Sequence, residues 1–128
     1  MDRIDIHIEV PAIEYHELNS NAPAESSNQI RERVNAARMC QSKRFESDGV
    51  LYNSQMSHKQ VRKFCTLNKE ESELLKTAMS QFHLSARAYD KILKVSRTIA
   101  DLASSEQIKT EHLAEAIQYR SLDRDFFV

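Results

Sequence analysis

Glycine is almost absent from this chain. A single glycine, Gly49, stands among 128 residues, in the turn dipeptide Asp48-Gly49. A phosphate-binding loop of the form GxxxxGK followed by Ser or Thr needs two glycines, and a dinucleotide-binding fingerprint needs more. The sequence therefore excludes both kinds of glycine-rich nucleotide-binding loop from this chain. Any nucleotide role must come from side chains that reach a site built by other residues.

The chain also lacks an excess of charge, a long apolar run and a cysteine pair. Its 18 basic and 19 acidic residues give a net charge of −1, so bulk electrostatics favour neither nucleic acid nor a membrane. No apolar run approaches the length of a membrane span, and residues 1–4 do not resemble a signal peptide. We therefore expect a cytoplasmic protein with no membrane partner. Cys40 and Cys65 form no CxxC motif, so we expect reduced, partly buried thiols.

No metal site is predicted. The five histidines have no zinc-type spacing with cysteine or carboxylate partners, so we interpret them as structural or exposed. Arg97 and Asp101 lie four residues apart on an expected helix. We interpret them as an intrahelical ion pair worth a few tenths of a kcal/mol, and assign them no catalysis.

The first ten residues have the alternating pattern of a β-strand. Apolar residues alternate with polar ones at Ile4, Ile6, Ile8 and Val10. This period is typical of a strand with one buried face. No second strand of similar strength follows, and one strand alone leaves its backbone unpaired and its apolar face uncovered. We therefore expect a short orphan strand whose sheet belongs to another part of a larger protein.

The rest of the chain carries the signals of helices joined by short turns. Caps at Ser57, Asn68, Ser85 and Thr110, together with apolar spacing, predict five helices, at about 26–41, 57–65, 69–83, 86–103 and from Thr110 onward. The predicted inward face of the fourth helix comprises Tyr89, Ile92, Leu93, Ser96, Ile99, Ala100 and Ala103. Five such helices predict a small orthogonal or bundle-like domain. We divide the chain into a strand and hinge linker over 1–25, a helical domain over 26–122 and a tail over 123–128.

Five segments carry a family signature. The most specific is 84–102, LSARAYDKILKVSRTIADL, followed by 112–120, HLAEAIQYR. The others are Ile30-Arg-Glu-Arg-Val34 with Ala37-Arg38, then Asn53-Ser-Gln-Met56, and the opening Asp2-Arg-Ile-Asp5. Together and in this order, they closely resemble the C-terminal lid of magnesium-chelatase-like AAA+ ATPases of the ComM/YifB type.

The resemblance implies an all-α, five-helix AAA+ lid domain preceded by a short strand from the ATPase core. It implies that the full-length protein is an ATPase that binds ATP and Mg²⁺, whereas this lid holds no cofactor and is not an enzyme alone. The implied partners are its own core and the neighbouring subunits of a homo-oligomeric ring, a hexamer. ComM-type members resemble helicases that act on branched DNA, whereas true magnesium chelatases insert magnesium into a porphyrin.

Arg87 is the first candidate for a nucleotide contact. It lies two residues after the expected helix cap Ser85, where the helix N-terminus and a permanent cation both favour an anion. A cation there opposes the helix dipole, and this small cost favours a function. By the resemblance, Arg87 matches the sensor-2 arginine that contacts the nucleotide of its own subunit. The alternative is an exposed arginine that contributes little.

Arg3 is the candidate catalytic residue. By the resemblance, it matches the arginine finger that reaches the ATP of the neighbouring subunit. An arginine supplied in this way accelerates phosphoryl transfer in GTPases by about 10³–10⁵. The alternative is a solvent-exposed arginine at the end of a strand.

A second class of function stays open, a stand-alone DNA- or protein-binding module. The helices expected over 57–65 and 69–83 are close enough to imitate a helix-turn-helix pair. Two basic clusters could contact DNA phosphates, although a solvated helix face is the simpler interpretation; they comprise Arg38, Lys43, Arg44, Lys59, Arg62 and Lys63. A subunit of a true magnesium chelatase is a further alternative.

Overall fold

The computed structural model describes Ile6, Ile8 and residues 25–125, with side chains as far as Arg120. This part is all-α, as predicted. Five α-helices follow one another: α1 (Ser27–Arg44), α2 (His58–Phe64), α3 (Lys69–Gln81), α4 (Ala86–Leu102) and α5 (Thr110–Asp125), with a short 3₁₀ helix, Asn53–Gln55, between α1 and α2. Apart from Ile6 and Ile8, the predicted strand lies outside the described residues. The division at residues 25 and 122 stays a prediction.

The first three α-helices begin as their sequences predict. In each, the side chain of the cap accepts a hydrogen bond from the backbone three residues on, and that residue's side chain accepts one from the backbone of the cap. This reciprocal arrangement satisfies two backbone donors that a helix start leaves free. The pairs are Ser26 with Gln29, Ser57 with Gln60, and Asn68 with Glu71.

The start of α5 differs from the prediction that Thr110 caps it. Thr110 is the first helical residue, and the carbonyl of Lys109 accepts hydrogen bonds from the backbone of His112 and Leu113. The Lys109 side chain has no oxygen to act as a cap. Instead Nδ1 of the buried His112 accepts a hydrogen bond from the Lys109 backbone N–H at 3.0 Å. His112 is therefore structural, as predicted, and its Nδ1 carries no proton in this arrangement.

Two helices end without the glycine that usually occupies the left-handed position. His83 follows α3 with φ of 51°, and Ser104 follows α4 with φ of 55°. In both turns the next backbone N–H bonds back to the last helical turn, Leu84 to the Met79 carbonyl at 3.1 Å and Ser105 to the Ala100 carbonyl at 2.8 Å. This is the Schellman pattern, which satisfies free carbonyls at a helix end. The turn after α3 is short, so the first turn of α4 starts directly beside the end of α3.

α4 is the central helix. It packs against α1, α2, α5 and the 3₁₀ helix, while α5 also packs against α3. Its predicted inward residues Ile92, Leu93, Ser96 and Ala100 are buried, whereas Ala103, just beyond its end, is exposed. Burial of this continuous stripe supplies the main driving force for folding, because apolar area removed from water is worth about 25 cal/mol per Å².

α1 is covered by the domain over only part of its length. Its buried residues are Ala37 and Gln41, and every residue from Ser27 to Ala36 is exposed. Ile30 and Val34 share the face of Ala37 but expose 44% and 37% of their surface. The N-terminal half of α1 therefore extends past the packed body of the domain.

A buried polar network joins α1 and the 3₁₀ helix to the C-terminal half of α4. The guanidinium of Arg44 donates to both carboxylate oxygens of Asp101, at 2.6 and 2.9 Å, and to the amide oxygen of Asn53 at 3.0 Å. The Asn53 amide nitrogen donates to Asp101 at 2.9 Å and to the Thr98 hydroxyl at 3.0 Å. The Asp101 side chain is fully buried. The hydrogen bond to Asp101, together with the negative charge of this carboxylate, raises the pKa of Arg44 above its usual value.

The Arg97–Asp101 pair belongs to the same network. Its nitrogen and oxygen are 3.3 Å apart, and the side chains are 5% and 0% exposed. Nη2 and Nη1 of Arg97 also donate to the carbonyls of Ser105 and Glu106, at 2.7 and 3.0 Å, while its buried Nε has no hydrogen-bond partner among the described residues. The predicted ion pair is therefore confirmed, and it is buried, whereas the strength predicted for it is that of an exposed pair.

Removing the Asp101 carboxylate should destabilise the domain strongly. We expect Asp101→Ala to lower the free energy of unfolding by about 3–5 kcal/mol, because it leaves the buried guanidinium of Arg97 and the partly buried one of Arg44 without their anion. Urea unfolding monitored by circular dichroism measures the change. The matched control is Lys63→Ala, since Lys63 is exposed and lies 3.8 Å from Asp48; we expect it to cost less than about 1 kcal/mol. Equal losses in the two variants would contradict the burial argument.

The two cysteines lie in different environments. Cys40 on α1 is exposed, whereas Cys65, directly after α2, is buried in the core. The prediction of partly buried thiols is thus wrong for Cys40. Burial raises the pKa of the Cys65 thiol from 9.0 to about 12, because the thiolate would be desolvated.

This raised pKa should make the domain less stable in alkali. The unfolded thiol loses its proton near pH 9.0 while the folded one keeps it to about 12, so stability present below pH 9 is lost as the pH rises towards 12. The predicted slope is about 1.4 kcal/mol per pH unit. Urea unfolding between pH 8 and 11 should show this slope in the natural chain and in Cys40→Ala. In Cys65→Ala it should be flatter by that amount, and parallel curves for all three proteins would refute the prediction.

Candidate functional site at the start of α4

The candidate site is the exposed N-terminal turn of α4. Ser85 adopts an extended backbone conformation, and its hydroxyl accepts a hydrogen bond from the Ala88 backbone N–H at 3.2 Å. The Ser85 carbonyl accepts from the Tyr89 backbone N–H at 3.0 Å. Ser85 is thus the predicted helix cap. Ala88, which is 2% exposed, turns this end of the helix into the core and directs Arg87 outward.

The guanidinium of Arg87 has no partner in the described part of the chain. Its side chain is exposed and makes no hydrogen bond or ion pair with a described residue. The backbone N–H groups of Ala86 and Arg87 likewise have no hydrogen-bond acceptor among these residues. The first turn of α4 therefore exposes to solvent two free amide donors, one guanidinium and the positive end of the helix dipole. This arrangement favours an anion.

The acidic residue nearest to this turn along α4 already has a hydrogen-bond partner. The first turn of α4 contains no acidic residue. The nearest one along the helix, Asp90, lies 3.0 Å through its carboxylate oxygen from Nδ1 of His58, at the start of α2. Asp90 therefore has a partner other than Arg87, and the guanidinium stays available to an incoming group.

Three cations share one face of α4. Arg87, Lys91 and Lys94 follow the spacing i, i+4, i+7, which places residues on the same side of an α-helix. The Lys94 ammonium donates to the Ser54 carbonyl at 3.3 Å. The face therefore runs from the free cation at the helix start towards the 3₁₀ helix.

The same face borders an apolar groove of about 410 Å³. Its walls come from α4, α5, the 3₁₀ helix and the two described residues near the N-terminus; they include Val95, Ile99, Leu102, Tyr119, Ile6 and Ile8. Tyr119 has a raised pKa, because burial disfavours its phenolate and Glu115 adds negative charge and a hydrogen bond. The groove was not predicted from the sequence, because it combines residues of α4 with residues of α5, the 3₁₀ helix and the N-terminal part of the chain, which are far apart in the sequence.

The structure brings together two of the candidates, Ser85 and Arg87. Arg3 lies outside the described residues. Among the residues of the basic clusters, Arg44 donates hydrogen bonds to Asp101 and Asn53. The interpretation of these clusters as a solvated helix face is therefore wrong for Arg44. Lys63 lies over the Phe64 ring at 4.9 Å and near Asp48, and Arg38 lies 5.5 Å from the Tyr52 ring centre.

Sequence analysis missed the role of Asn53. This residue is 2% exposed and bridges Arg44, Thr98 and Asp101, which are far apart in the sequence. Its backbone N–H also donates to the Gln41 side chain at 3.0 Å. The one available signal was the motif Asn53-Ser-Gln-Met56, which no local pattern explains.

Neither a metal cluster nor a membrane span is found in the part of the chain that the structure describes. Among these residues, no three His, Cys, Asp or Glu side chains converge as metal ligands. Likewise, none of their helices is both long and apolar enough to cross a bilayer.

Comparison with known proteins shows extensive similarity. The family described as magnesium chelatase, subunit ChlI C-terminal, matches residues 24–120. The chain is 42% identical to the competence protein ComM of Haemophilus influenzae over 97% of this chain and 24% of that protein. It is 38% and 34% identical to the uncharacterized proteins YifB of Escherichia coli and Salmonella typhimurium, with the same coverage. The chain thus spans about a quarter of the length of these curated relatives.

Proposed function

Because this chain belongs to the family of magnesium chelatase subunit ChlI C-terminal domains, we propose that it is the nucleotide-responsive lid of a ComM/YifB-type AAA+ ATPase. In this proposal Arg87 is the sensor-2 arginine, which contacts the phosphates of ATP bound by its own subunit. Ser85 is the cap that orients the turn carrying Arg87. The lid itself carries out no hydrolysis.

The observation that carries the proposal is the state of Arg87. It is exposed, has no partner among the described residues, and stands beside two free backbone amides. Its turn is anchored by the Ser85 cap and by buried Ala88. An anion bound there gains a charge-assisted hydrogen bond and the favourable end of the helix dipole.

α4 suits the transmission of nucleotide state. Arg87 lies at one end of this 17-residue helix, and the network of Arg97 and Asp101 lies near the other. Such a helix is about 25 Å long, and its packing against four other elements leaves it little freedom to move alone. A pull on Arg87 would therefore move the lid as a rigid body, which is the hinge type of domain closure.

The remaining parts of the proposal concern the parent protein. Its core would bind ATP and Mg²⁺, and its subunits would form a homo-oligomeric, hexameric ring in the cytoplasm. Arg3 would act as the arginine finger on the ATP of the neighbouring subunit. A DNA helicase or branch-migration role is the preferred substrate class because of the similarity to ComM, and a true magnesium chelatase subunit is the alternative.

Removing the Arg87 guanidinium should abolish most ATP hydrolysis by the full-length parent. We expect Arg87→Ala to lower kcat at least tenfold, because the phosphate loses a charged donor, while the 128-residue chain keeps its thermal midpoint. Steady-state phosphate release and thermal unfolding measure the two effects.

The matched control is Arg31→Ala, since Arg31 is also an exposed helical arginine without a partner among the described residues. It should leave turnover within about twofold of the natural protein. Normal turnover in Arg87→Ala would refute the sensor assignment. A loss in both variants would instead indicate a general effect of positive charge.

A stand-alone DNA-binding module is the alternative function. The observation that favours it is the exposure of the basic α2 residues Lys59, Arg62 and Lys63. Against it, Arg44 of the predicted clusters is engaged in the buried network. Fewer phosphate contacts are then available than the sequence alone indicates.

Titration of a DNA duplex with the 128-residue chain distinguishes the two functions. For a lid we expect weak binding at both 50 and 200 mM salt, measured by fluorescence anisotropy. A module with 6–10 phosphate contacts would bind tightly at low salt and lose about 10³–10⁵ in affinity over this range. Arg62→Ala should then reduce the salt dependence, and that result would favour the alternative.

A further inference from the structure

One acidic side chain of α4 lies within reach of Arg87. Asp90 follows Arg87 by three residues, a spacing that brings the two Cβ atoms of a helix to about 5–6 Å of each other. Opposite charges at this spacing attract each other on a helix surface. Arg87 nevertheless makes no ion pair with a described residue. Another group must therefore keep the Asp90 carboxylate away from it.

The group that holds Asp90 is the imidazole of His58, the first residue of α2. Its Nδ1 lies 3.0 Å from one carboxylate oxygen and 3.1 Å from the other, so both oxygens face the ring. Because an ionised carboxylate only accepts hydrogen bonds, Nδ1 carries the proton and donates it. The Asp90 side chain is 26% exposed, so most of it is covered in this position. The carboxylate is thus turned towards α2 rather than along α4 towards Arg87.

The other cation within reach of Asp90 has an acceptor of its own. Lys94 follows Asp90 by four residues, and its ammonium donates to the Ser54 carbonyl at 3.3 Å. When the hydrogen bond from His58 is lost, Arg87 is therefore the helical neighbour with no competing partner among the described residues. An exposed ion pair of this spacing favours the paired state about twofold.

We propose that His58 is a positioning residue for Arg87: it holds the Asp90 carboxylate against α2 and so keeps the guanidinium available to the phosphates of ATP. His58 itself contacts no nucleotide. The identity of the anion rests on the proposed function, whereas the competition between His58 and Arg87 for Asp90 takes place within this domain alone. α2 is thereby linked to the nucleotide-sensing end of α4.

Rotation of the Arg87 guanidinium measures this competition in the 128-residue chain. In His58→Ala, Asp90 should pair with the guanidinium in about two thirds of the molecules, so that rotation about the Nε–Cζ bond slows about threefold. Nitrogen-15 exchange spectroscopy of labelled arginine measures the rate, with the Arg87 signal assigned through Arg87→Lys. His58→Asn should keep the natural rate, because its amide N–H replaces that of Nδ1. An unchanged rate in His58→Ala overturns the proposal.

A double variant separates this competition from a merely structural contact between α2 and α4. In His58→Ala/Asp90→Asn the contact stays broken, yet the natural rotation rate should return because the competing carboxylate is gone. The matched control is Lys59→Ala, since Lys59 is the next residue of α2 and is exposed without a partner among the described residues. It should leave the rate unchanged. A slow rate in the double variant, or an equal fall in the control, contradicts the proposal.

Steady-state kinetics of the full-length parent test the consequence for ATP. With the guanidinium available in about a third of the molecules, KM for ATP should rise about threefold in His58→Ala. The value of kcat should change little, because bound ATP displaces Asp90, and Asp90→Asn should restore KM in this background. An unchanged KM, beside the expected loss of kcat in Arg87→Ala, would overturn the proposal and leave the sensor assignment intact. Normal turnover in Arg87→Ala would instead refute the proposed function and, with it, the link to ATP, whereas the rotation rates would stand.

Discussion

The domain depends on how it neutralises one buried carboxylate. The Asp101 side chain is fully buried and accepts hydrogen bonds from Arg44 and Asn53, with Arg97 nearby. An ionised group removed from water is tolerable only with good partners. Because these partners come from α1, the 3₁₀ helix and α4, satisfying the charge also sets the arrangement of these elements. The orientation of α4, and hence the place of Arg87, follows from this constraint.

Three parts of α4 have different roles. Its inner face forms the core through Ile92 and Ala100, its C-terminal half joins the polar network, and its first turn leaves Arg87 free. Free polar groups at a helix start are stable only while they face water or a ligand. The remaining face borders the groove at Ile6 and Ile8. The proposed sensing by Arg87 therefore uses a surface that is not part of the packed core.

Much of the local structure could be predicted, because its causes lie within a few residues. The caps Ser57, Asn68 and Ser85 stand at helix starts as predicted, since capping joins residues only three apart. Thr110 was predicted wrongly because the buried ring of His112 supplies the acceptor. Arg44 was placed in a surface cluster because its partner Asp101 is 57 residues away, and no local pattern reveals such a pair.

The sequence by itself determined the class of fold, the family and the absence of a phosphate loop. One glycine and a series of capped, amphipathic segments are sufficient for these conclusions, since each rests on composition or short spacing. The tertiary structure alone decided which charges are buried and which are free. Arg44, Arg87 and Arg97 all lie in helices of the structure, yet two belong to the polar network and one faces solvent. Burial depends on packing between distant segments, and it is burial that separates a structural arginine from one available to a ligand.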